Sequence, residues 1–209
     1  RLFSYTRNFG FGAKTGIDLP GEESGILHPL ETWSGRTGVT MAIGQEISVT
    51  LMQMMQMYAG IANDGVLVKP VIYDRIVSEK GSVVEQSSLT PIRRVMAAGV
   101  SRRLREMLRG VVTDGTGRAA RIPGARIAGK TGTSQKIDPQ TQRYSNELVW
   151  ISFIGFLPVE KPVLLCGVVF DEPQKDATGG GGAAPVFRQI VNQILSHPRL
   201  EYAQKVLHD

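Results

Sequence analysis

Residues 125–133, near the middle of the chain, bring together groups that could recognise and activate a peptide. The segment ends in Gly129, Lys130, Thr131, Gly132 and Thr133. The Lys130 ammonium supplies positive charge and can hold a neighbouring hydroxyl ready for proton transfer. The two threonine hydroxyls can donate hydrogen bonds to a carboxylate, and the two glycines let a ligand approach the backbone. This combination predicts a site for an extended peptide that ends in a carboxylate.

The backbone around Lys130 is as informative as its side chains. Successive strand residues point to opposite faces, so Lys130 and Thr131 are expected to point apart and to touch one ligand only along the strand's edge. An edge strand has free N–H and C=O groups that can pair with a peptide. We therefore predict that residues 125–133 form an edge strand. A second Lys-Thr-Gly, residues 14–16, lies in a glycine-rich loop without a strand of small residues before it, so the three-residue string alone has little specificity.

Other chemistries find little support. Ala13 stands where a phosphate-binding loop needs a glycine directly before its lysine. The three histidines show no metal-ligand spacing, so no metal or cofactor is expected. Cys166 lies in an apolar run and is predicted to be a buried small hydrophobe without a disulfide. The net charge of +5 is scattered and no aromatic-interleaved basic stripe occurs, so no nucleic-acid partner is expected.

The surrounding elements predict an α+β fold, an antiparallel sheet flanked by helices. The 209 residues, 42% of them hydrophobic, are enough for one domain with a substantial core. Apolar periodicity and turn residues predict helices at 47–62 (N-cap Ser48), 99–112 and from Pro185, strands within 66–86 with a turn at 78–81, and strands at 125–133, 148–156 and 163–170. Residues 134–147 are predicted to form a loop.

Two helices carry more detailed expectations. The methionines of helix 47–62 (residues 52, 54, 55 and 57) predict a buried helix filled by adaptable side chains. The second helix should bury one apolar stripe, formed by Val100, Leu104, Met107, Leu108 and Val111.

Several segments in fixed order resemble the transpeptidase domain of class B penicillin-binding proteins. The matching segments are Phe9-Gly-Phe-Gly12, residues 15–22, residues 44–50, Asn63-Asp64-Gly65 with Lys69-Pro70, Gly115-Thr-Gly117, residues 129–136, residues 152–158 and residues 183–187. Glu46 and Leu51-Met52 depart from the family's usual residues. Together these segments identify about 95% of the chain as similar to the C-terminal part of that domain.

The resemblance implies a penicillin-binding, serine β-lactamase-like fold and a peptidoglycan D,D-transpeptidase activity. A serine would attack the D-Ala–D-Ala peptide bond of a stem peptide, and an amine from a second stem peptide would resolve the acyl-enzyme. β-Lactam antibiotics would acylate the same serine. By position, Lys130 belongs to the proton-transfer network, and Thr131, Gly132 and Thr133 bind the substrate. The backbone N–H of Thr133 contributes to the oxyanion hole.

The family's Ser-x-x-Lys and Ser-x-Asn motifs do not occur in these 209 residues. We expect them to precede Arg1, in a companion polypeptide that also carries a membrane anchor and places the domain on the periplasmic or extracytoplasmic face. Other membrane-bound cell-wall synthesis proteins are expected partners, and residues 134–145 favour the division-type subgroup. A β-lactamase or D,D-carboxypeptidase of the same fold, or a non-catalytic penicillin sensor, stays open as an alternative.

Overall fold

The structure is a computed structural model that describes residues 1–197. The chain divides into two compact units, residues 1–97 and the residues from 98 onward. The helices and strands of the first unit are α1 (Leu2–Asn8), β1 (Ile26–Leu27), α2 (Thr37–Ala42), β2 (Ile47–Ser48), α3 (Leu51–Ala62), β3 (Val66–Val68), β4 (Arg75–Val77), β5 (Val83–Gln86) and β6 (Pro91–Arg94). These strands form three antiparallel pairs, β1–β2, β3–β6 and β4–β5.

Helix α3 begins later than its sequence pattern predicts. Its N-cap is Thr50, whose hydroxyl accepts the Gln53 N–H at 3.1 Å while the Gln53 side chain accepts the Thr50 N–H at 2.9 Å. This reciprocal capping box satisfies two backbone donors at the helix start. The predicted cap, Ser48, was wrong because Ile47 and Ser48 pair with β1. The predicted end of this helix at residue 62 is confirmed, since α3 ends at Ala62.

Two glutamines of α3 hold the glycine-rich loop that follows α1. Gln53, 1% exposed, donates to the carbonyls of Ala13 (2.8 Å) and Ser24 (2.7 Å). Gln56 donates to the carbonyls of Thr15 and Val68. These contacts explain why glutamines are buried in α3, whereas its four methionines are only half-buried, so the predicted methionine-filled interior was wrong in detail.

The same loop is fixed internally by the Glu22 carboxylate. Glu22 accepts the backbone N–H of Thr15 at 2.7 Å and that of Gly16 at 3.1 Å, and it also accepts the Thr15 hydroxyl. Burial acts to raise the pKa of Glu22, but these hydrogen bonds and the charge of Lys14 outweigh it, so the pKa is lowered below its ordinary value.

The predicted hairpin turn at residues 78–81 is confirmed between β4 and β5. The Gly81 N–H donates to the Ser78 carbonyl at 2.9 Å, and the Ser78 N–H donates to the Ser82 carbonyl at 2.8 Å. Strand β6, which pairs with β3, was not predicted.

The second unit is built on a three-stranded antiparallel sheet in the order β7–β8–β9. Its elements are α4 (Ala98–Thr113), β7 (Ala128–Ile137), β8 (Tyr144–Leu157), β9 (Leu164–Asp171), one π-helical turn (Gly179–Ala183) and α5 (Ala184–Leu195). Helices on an antiparallel sheet confirm the predicted α+β class. The core cluster joins β8 to α5, where Phe153 and Phe187 pack edge to face with ring centroids 4.7 Å apart.

The predicted loop at residues 134–147 was too long. Strand β7 continues to Ile137 and β8 starts at Tyr144, leaving residues 138–143 as the connection. A register shift between Gln135 and Ile137 accommodates the polar end of β7. Polar side chains are tolerated here because the antiparallel ladder is formed by backbone groups.

The apolar stripe predicted for α4 was also wrong. The buried residues are Ser101, Arg105, Leu108 and Val112. Met107 is 68% exposed and Val100 43% exposed, so only Leu108 of the predicted stripe is buried. The predicted helix from Pro185 is confirmed as α5, with Pro185 in its first turn and Phe187, Val191 and Leu195 buried.

Within residues 1–197, no helix has the length and apolar character needed to cross a bilayer. Over the same residues, no group of histidine, cysteine and carboxylate side chains is arranged to hold a metal ion.

Candidate active site

Strand β7 lies at one edge of the sheet, as predicted for the segment that carries Lys130. Its strand partner in the described part of the chain is β8, where Lys130 faces Ile154 and Thr133 faces Ile151. The opposite edge of β7 pairs with no other described strand. Unpaired backbone groups on such an edge can bind an extended peptide as an added strand.

The Lys130 side chain is exposed and turns back along β7. Its Nζ atom donates to the Thr131 carbonyl at 2.8 Å and to the Thr131 hydroxyl at 3.3 Å. Strand geometry predicted that the two side chains point apart, but the four-carbon stem is long enough to bring the ammonium to its neighbour's oxygen atoms. The Lys130 ammonium therefore reaches the Thr131 oxygen atoms although the two side chains start on opposite faces of the strand.

Thr131 has a second hydroxyl partner that the sequence alone did not identify. The Thr116 Oγ1 atom lies 2.8 Å from the Thr131 Oγ1 atom. Thr116 belongs to the Gly115-Thr-Gly117 segment after α4, one of the segments that carry the family resemblance. Because Lys130 has donors and no acceptor, the Thr131 oxygen accepts from it. The result is a continuous chain of contacts from Lys130 through Thr131 to Thr116.

A run of four glycines, residues 179–182, packs directly against β7 and β8. A Cβ atom on Gly179 would lie 2.5 Å from the Ser152 carbonyl oxygen and 2.6 Å from that of Gly132. One on Gly180 would lie 2.6 Å from the Thr116 carbonyl oxygen. Side chains are therefore excluded at these two positions, which explains why the sequence has glycine there.

The glycine run also orients the Thr133 hydroxyl. The Gly179 N–H donates to the Thr133 Oγ1 atom at 3.2 Å. Because this bond uses an acceptor position of the oxygen, the Thr133 hydroxyl hydrogen is free to turn to another acceptor. The exposed Thr133 side chain is thus arranged as a hydrogen-bond donor, the role that a carboxylate ligand requires.

The far end of β7 carries a charged cluster around Lys136. Its ammonium donates to Asp171 at 2.9 Å and to Glu172, and it lies 5.1 Å from the centre of the Trp150 ring. The hydrogen bonds to Glu172 and Asp171 raise the pKa of Lys136 above its ordinary value. This cluster joins β7 to the end of β9.

Cys166 and the second Lys-Thr-Gly make none of the hydrogen bonds described around residues 130–133. Cys166 is a free, half-buried cysteine on β9, and burial raises the pKa of its thiol. The second Lys-Thr-Gly, residues 14–16, belongs to the first unit, where Glu22 binds its backbone.

Comparison with known proteins finds similar sequences over most of the chain. Residues 1–192 match the family described as the penicillin binding protein transpeptidase domain. The chain is 41% identical over 204 aligned residues to the penicillin-binding protein PbpB of Mycolicibacterium smegmatis, covering 93% of this chain and 31% of that protein. It is 39% identical to the stage V sporulation protein D of Bacillus subtilis, covering 93% and 30%. The chain therefore spans about a third of the length of these relatives.

A solved structure shows the same fold. The apo form of penicillin-binding protein 3 from Mycobacterium tuberculosis superimposes with a TM-score of 0.84 at 40% identity, covering 92% of this chain and 45% of that one. The same protein has been solved in complex with ampicillin and with aztreonam. These matches confirm the resemblance to class B penicillin-binding proteins, and the chain belongs to the penicillin-binding protein transpeptidase domain family.

Proposed function

We propose that this chain supplies the substrate-binding strand of a peptidoglycan D,D-transpeptidase that acts through a serine acyl-enzyme and is acylated by β-lactams. The observation that carries the proposal is the exposed edge of β7, where Lys130 donates to the Thr131 carbonyl and the Gly179 N–H donates to the Thr133 hydroxyl. A relative from Pseudomonas aeruginosa, 33% identical over 184 residues, is named a probable peptidoglycan D,D-transpeptidase. The penicillin-binding protein 3 complexes with two β-lactams support the ligand class.

In this proposal the β7 edge binds the D-Ala–D-Ala end of a stem peptide, or the β-lactam that mimics it. The hydroxyls of Thr131 and Thr133 donate to the ligand's carboxylate. Gly132 has no side chain, so the acyl group can lie against the strand. Support for the Thr133 role comes from the Gly179 N–H, which occupies an acceptor position of its oxygen and leaves the hydroxyl hydrogen available.

The proposed reaction makes and breaks bonds in two steps. A serine oxygen attacks the carbonyl carbon of the scissile peptide bond, and the terminal D-Ala leaves after its nitrogen gains a proton. The amine of a second stem peptide then attacks the acyl carbon and releases the serine. The Thr133 backbone N–H donates to the oxyanion formed in each step. Lys130 contributes positive charge and takes part in the proton-transfer network.

The serine lies outside these 209 residues in our proposal. Neither Ser-x-x-Lys nor Ser-x-Asn occurs in the sequence. We infer that the chain is the C-terminal part of one transpeptidase domain, completed by a companion polypeptide that carries these motifs and a membrane anchor. The assembled domain would act on the extracytoplasmic face, with membrane-bound cell-wall synthesis proteins as partners and a role in division.

A chimera tests the proposal. Residues 1–192 replace the matching segment of PbpB from Mycolicibacterium smegmatis, and the purified protein is treated with a fluorescent penicillin. We expect covalent labelling, with the adduct mapped by mass spectrometry to a serine outside residues 1–192. The double substitution Thr131→Val, Thr133→Val should slow acylation by at least about a hundredfold, because two hydrogen bonds to a carboxylate are lost at about 1.5–3 kcal/mol each.

The matched control is Thr141→Val in the 138–143 connection, whose exposed side chain hydroxyl has no described partner. It should label at the parental rate. A folded chimera that takes no label, or an adduct on residues 1–192, would refute the proposed division of roles. Rapid release of the hydrolysed label would identify a β-lactamase instead. Labelling without crosslinking of stem peptides would favour the sensor or a carboxypeptidase.

A further inference from the structure

A cavity of about 410 Å³ lies between the end of α4, residues 121–127 and α5. Its floor is apolar and includes Val112, Ile122 and Ile127, which also belong to the core cluster. Its rim carries the side chains of four arginines, Arg109, Arg121, Arg126 and Arg188. A volume of this size is typical of small-molecule sites, which combine apolar walls with a few polar groups.

Two of the four rim arginines form ion pairs with carboxylates. The Arg109 Nε atom donates to the Glu106 Oε2 atom at 2.7 Å. The Arg126 Nη2 atom lies 2.7 Å from the Glu160 Oε1 atom and 3.8 Å from the Glu106 Oε1 atom. The hydrogen bond to Glu106 and the charge of Glu106 raise the pKa of Arg109 above its ordinary value. These two arginines already have carboxylate partners.

Among the residues described, the charges of the other two rim arginines are not balanced by a nearby carboxylate. In the part of the chain that the structure describes, neither Arg121 nor Arg188 has a carboxylate within 4.0 Å. The Arg121 Nε atom donates to the Val112 carbonyl at 2.9 Å, which fixes the side chain at the cavity and leaves its terminal amino groups for another acceptor. Four guanidinium groups, set against the carboxylates of Glu106 and Glu160 and the charge of Asp114 near Arg109, leave a net positive charge around the cavity.

We infer that this cavity is a binding site for a phosphate monoester that carries an apolar group. A monoester has a charge of about −1.5 to −2 at neutral pH, opposite in sign to the net charge of the rim, and its three oxygens suit guanidinium donors. The apolar group lies on Val112, Ile122 and Ile127, and the phosphate lies between Arg121 and Arg188. The inference uses no residue of the β7 site and does not depend on the proposed function.

Calorimetric titration of the chain with hexyl phosphate tests the site, with inorganic phosphate and hexanol as comparison ligands. Hexyl phosphate should bind more tightly than either, because only it occupies both the floor and the charged rim. The double substitution Arg121→Gln, Arg188→Gln should weaken binding by at least about tenfold, since hydrogen bonds to charged groups are lost. The single substitution Arg188→Gln, at an exposed side chain without a described partner, should weaken it in the same direction.

The matched control is Arg102→Gln, Arg103→Gln, which removes two exposed arginines from α4 outside the cavity. The control should bind like the parent. Equal weakening by the control, no effect of Arg188→Gln, or no preference for hexyl phosphate over inorganic phosphate overturns the inference. Sedimentation with phosphatidylcholine vesicles that contain phosphatidic acid identifies the source. Retention that requires Arg121 and Arg188 indicates a lipid phosphate, and binding of hexyl phosphate alone indicates a soluble ester.

Discussion

The close approach of the glycine run to the sheet makes Gly179→Ala the sharpest test of the site's construction. The added methyl carbon would meet the Ser152 carbonyl oxygen at 2.5 Å and the carbonyl oxygen and amide nitrogen of Gly132 at 2.6 and 2.8 Å. All three are backbone atoms of paired strands, so rotation of a side chain cannot relieve the overlap. The run must therefore move away from β7 or the strands must shift.

The expected loss of stability is about 2–4 kcal/mol. Overpacking of a well-packed interior costs about 1–3 kcal/mol. Displacement of residue 179 also removes the hydrogen bond from its N–H to Thr133, which contributes about 1 kcal/mol. Such a loss is a large fraction of the total stability of a domain, about 5–15 kcal/mol.

Urea unfolding followed by far-UV circular dichroism measures this loss, with Gly110→Ala as the control. Gly110 lies inside α4 with no atom within 4 Å of the added carbon, so alanine should stabilise the helix by about 0.5–1 kcal/mol. In the penicillin-binding chimera, Gly179→Ala should also slow acylation, since Thr133 loses the group that orients it. A Gly179→Ala protein within about 0.5 kcal/mol of the parent and acylated at the parental rate would refute this account of the glycine run.

Three further outcomes follow from the first unit. Gln53→Ala removes the partner of three backbone groups and should lower the free energy of unfolding by about 2–4 kcal/mol in urea titrations, whereas a change below about 1 kcal/mol would contradict the bridging role. The folded-state pKa of Glu22 lies below its ordinary value, so its contribution to stability is complete above that ordinary value and is lost as the pH falls through the lower, folded-state pKa. Unfolding measured from pH 6 to 3 should therefore be less pH-dependent in Glu22→Gln, and parallel curves would disprove this. Gly65 and Gly81 both have φ near +80°, but only at Gly65 would a side chain strike the Met96 carbonyl. Gly65→Ala should thus lower the thermal midpoint far more than Gly81→Ala, which should cost only about 1–2 kcal/mol, and equal losses would exclude the steric explanation.

The sheet of the second unit could be predicted because its information is local. Apolar strands separated by turn residues indicated a meander, and β7, β8 and β9 follow it. The ends were missed because residues 134–137 are polar and their strand geometry depends on pairing with β8. Likewise, Ile47 and Ser48 leave the helical pattern only because β1, about twenty residues earlier, pairs with them.

The buried face of helix α4 was predicted wrongly because it includes polar side chains. Arg105 and Ser101 of α4 are 5% and 0% exposed, although an apolar periodicity assigns both to the surface. Buried polar side chains depend on partners that the folded chain supplies, and a periodicity of apolar residues cannot reveal those partners.

The candidate site shows the same division between local and non-local information. Residues 130–133 could be recognised from their types and spacing. Thr116 could not, because a contact between hydroxyls 15 residues apart exists only after the glycine run brings the two segments together. A threonine between two glycines, ahead of a lysine-containing strand, is the sequence signal that points to it.

The unpaired edge of β7 has a consequence for the protein's behaviour in solution. An open strand edge is a template on which a second copy of the same strand can add, and a lysine on that edge opposes such self-association by charge and hydration. Lys130 therefore has a second effect, independent of any reaction, because it keeps identical edges apart. Replacing it with an uncharged residue should promote dimers or larger aggregates, whereas Lys130→Arg should leave the chain monodisperse in light scattering.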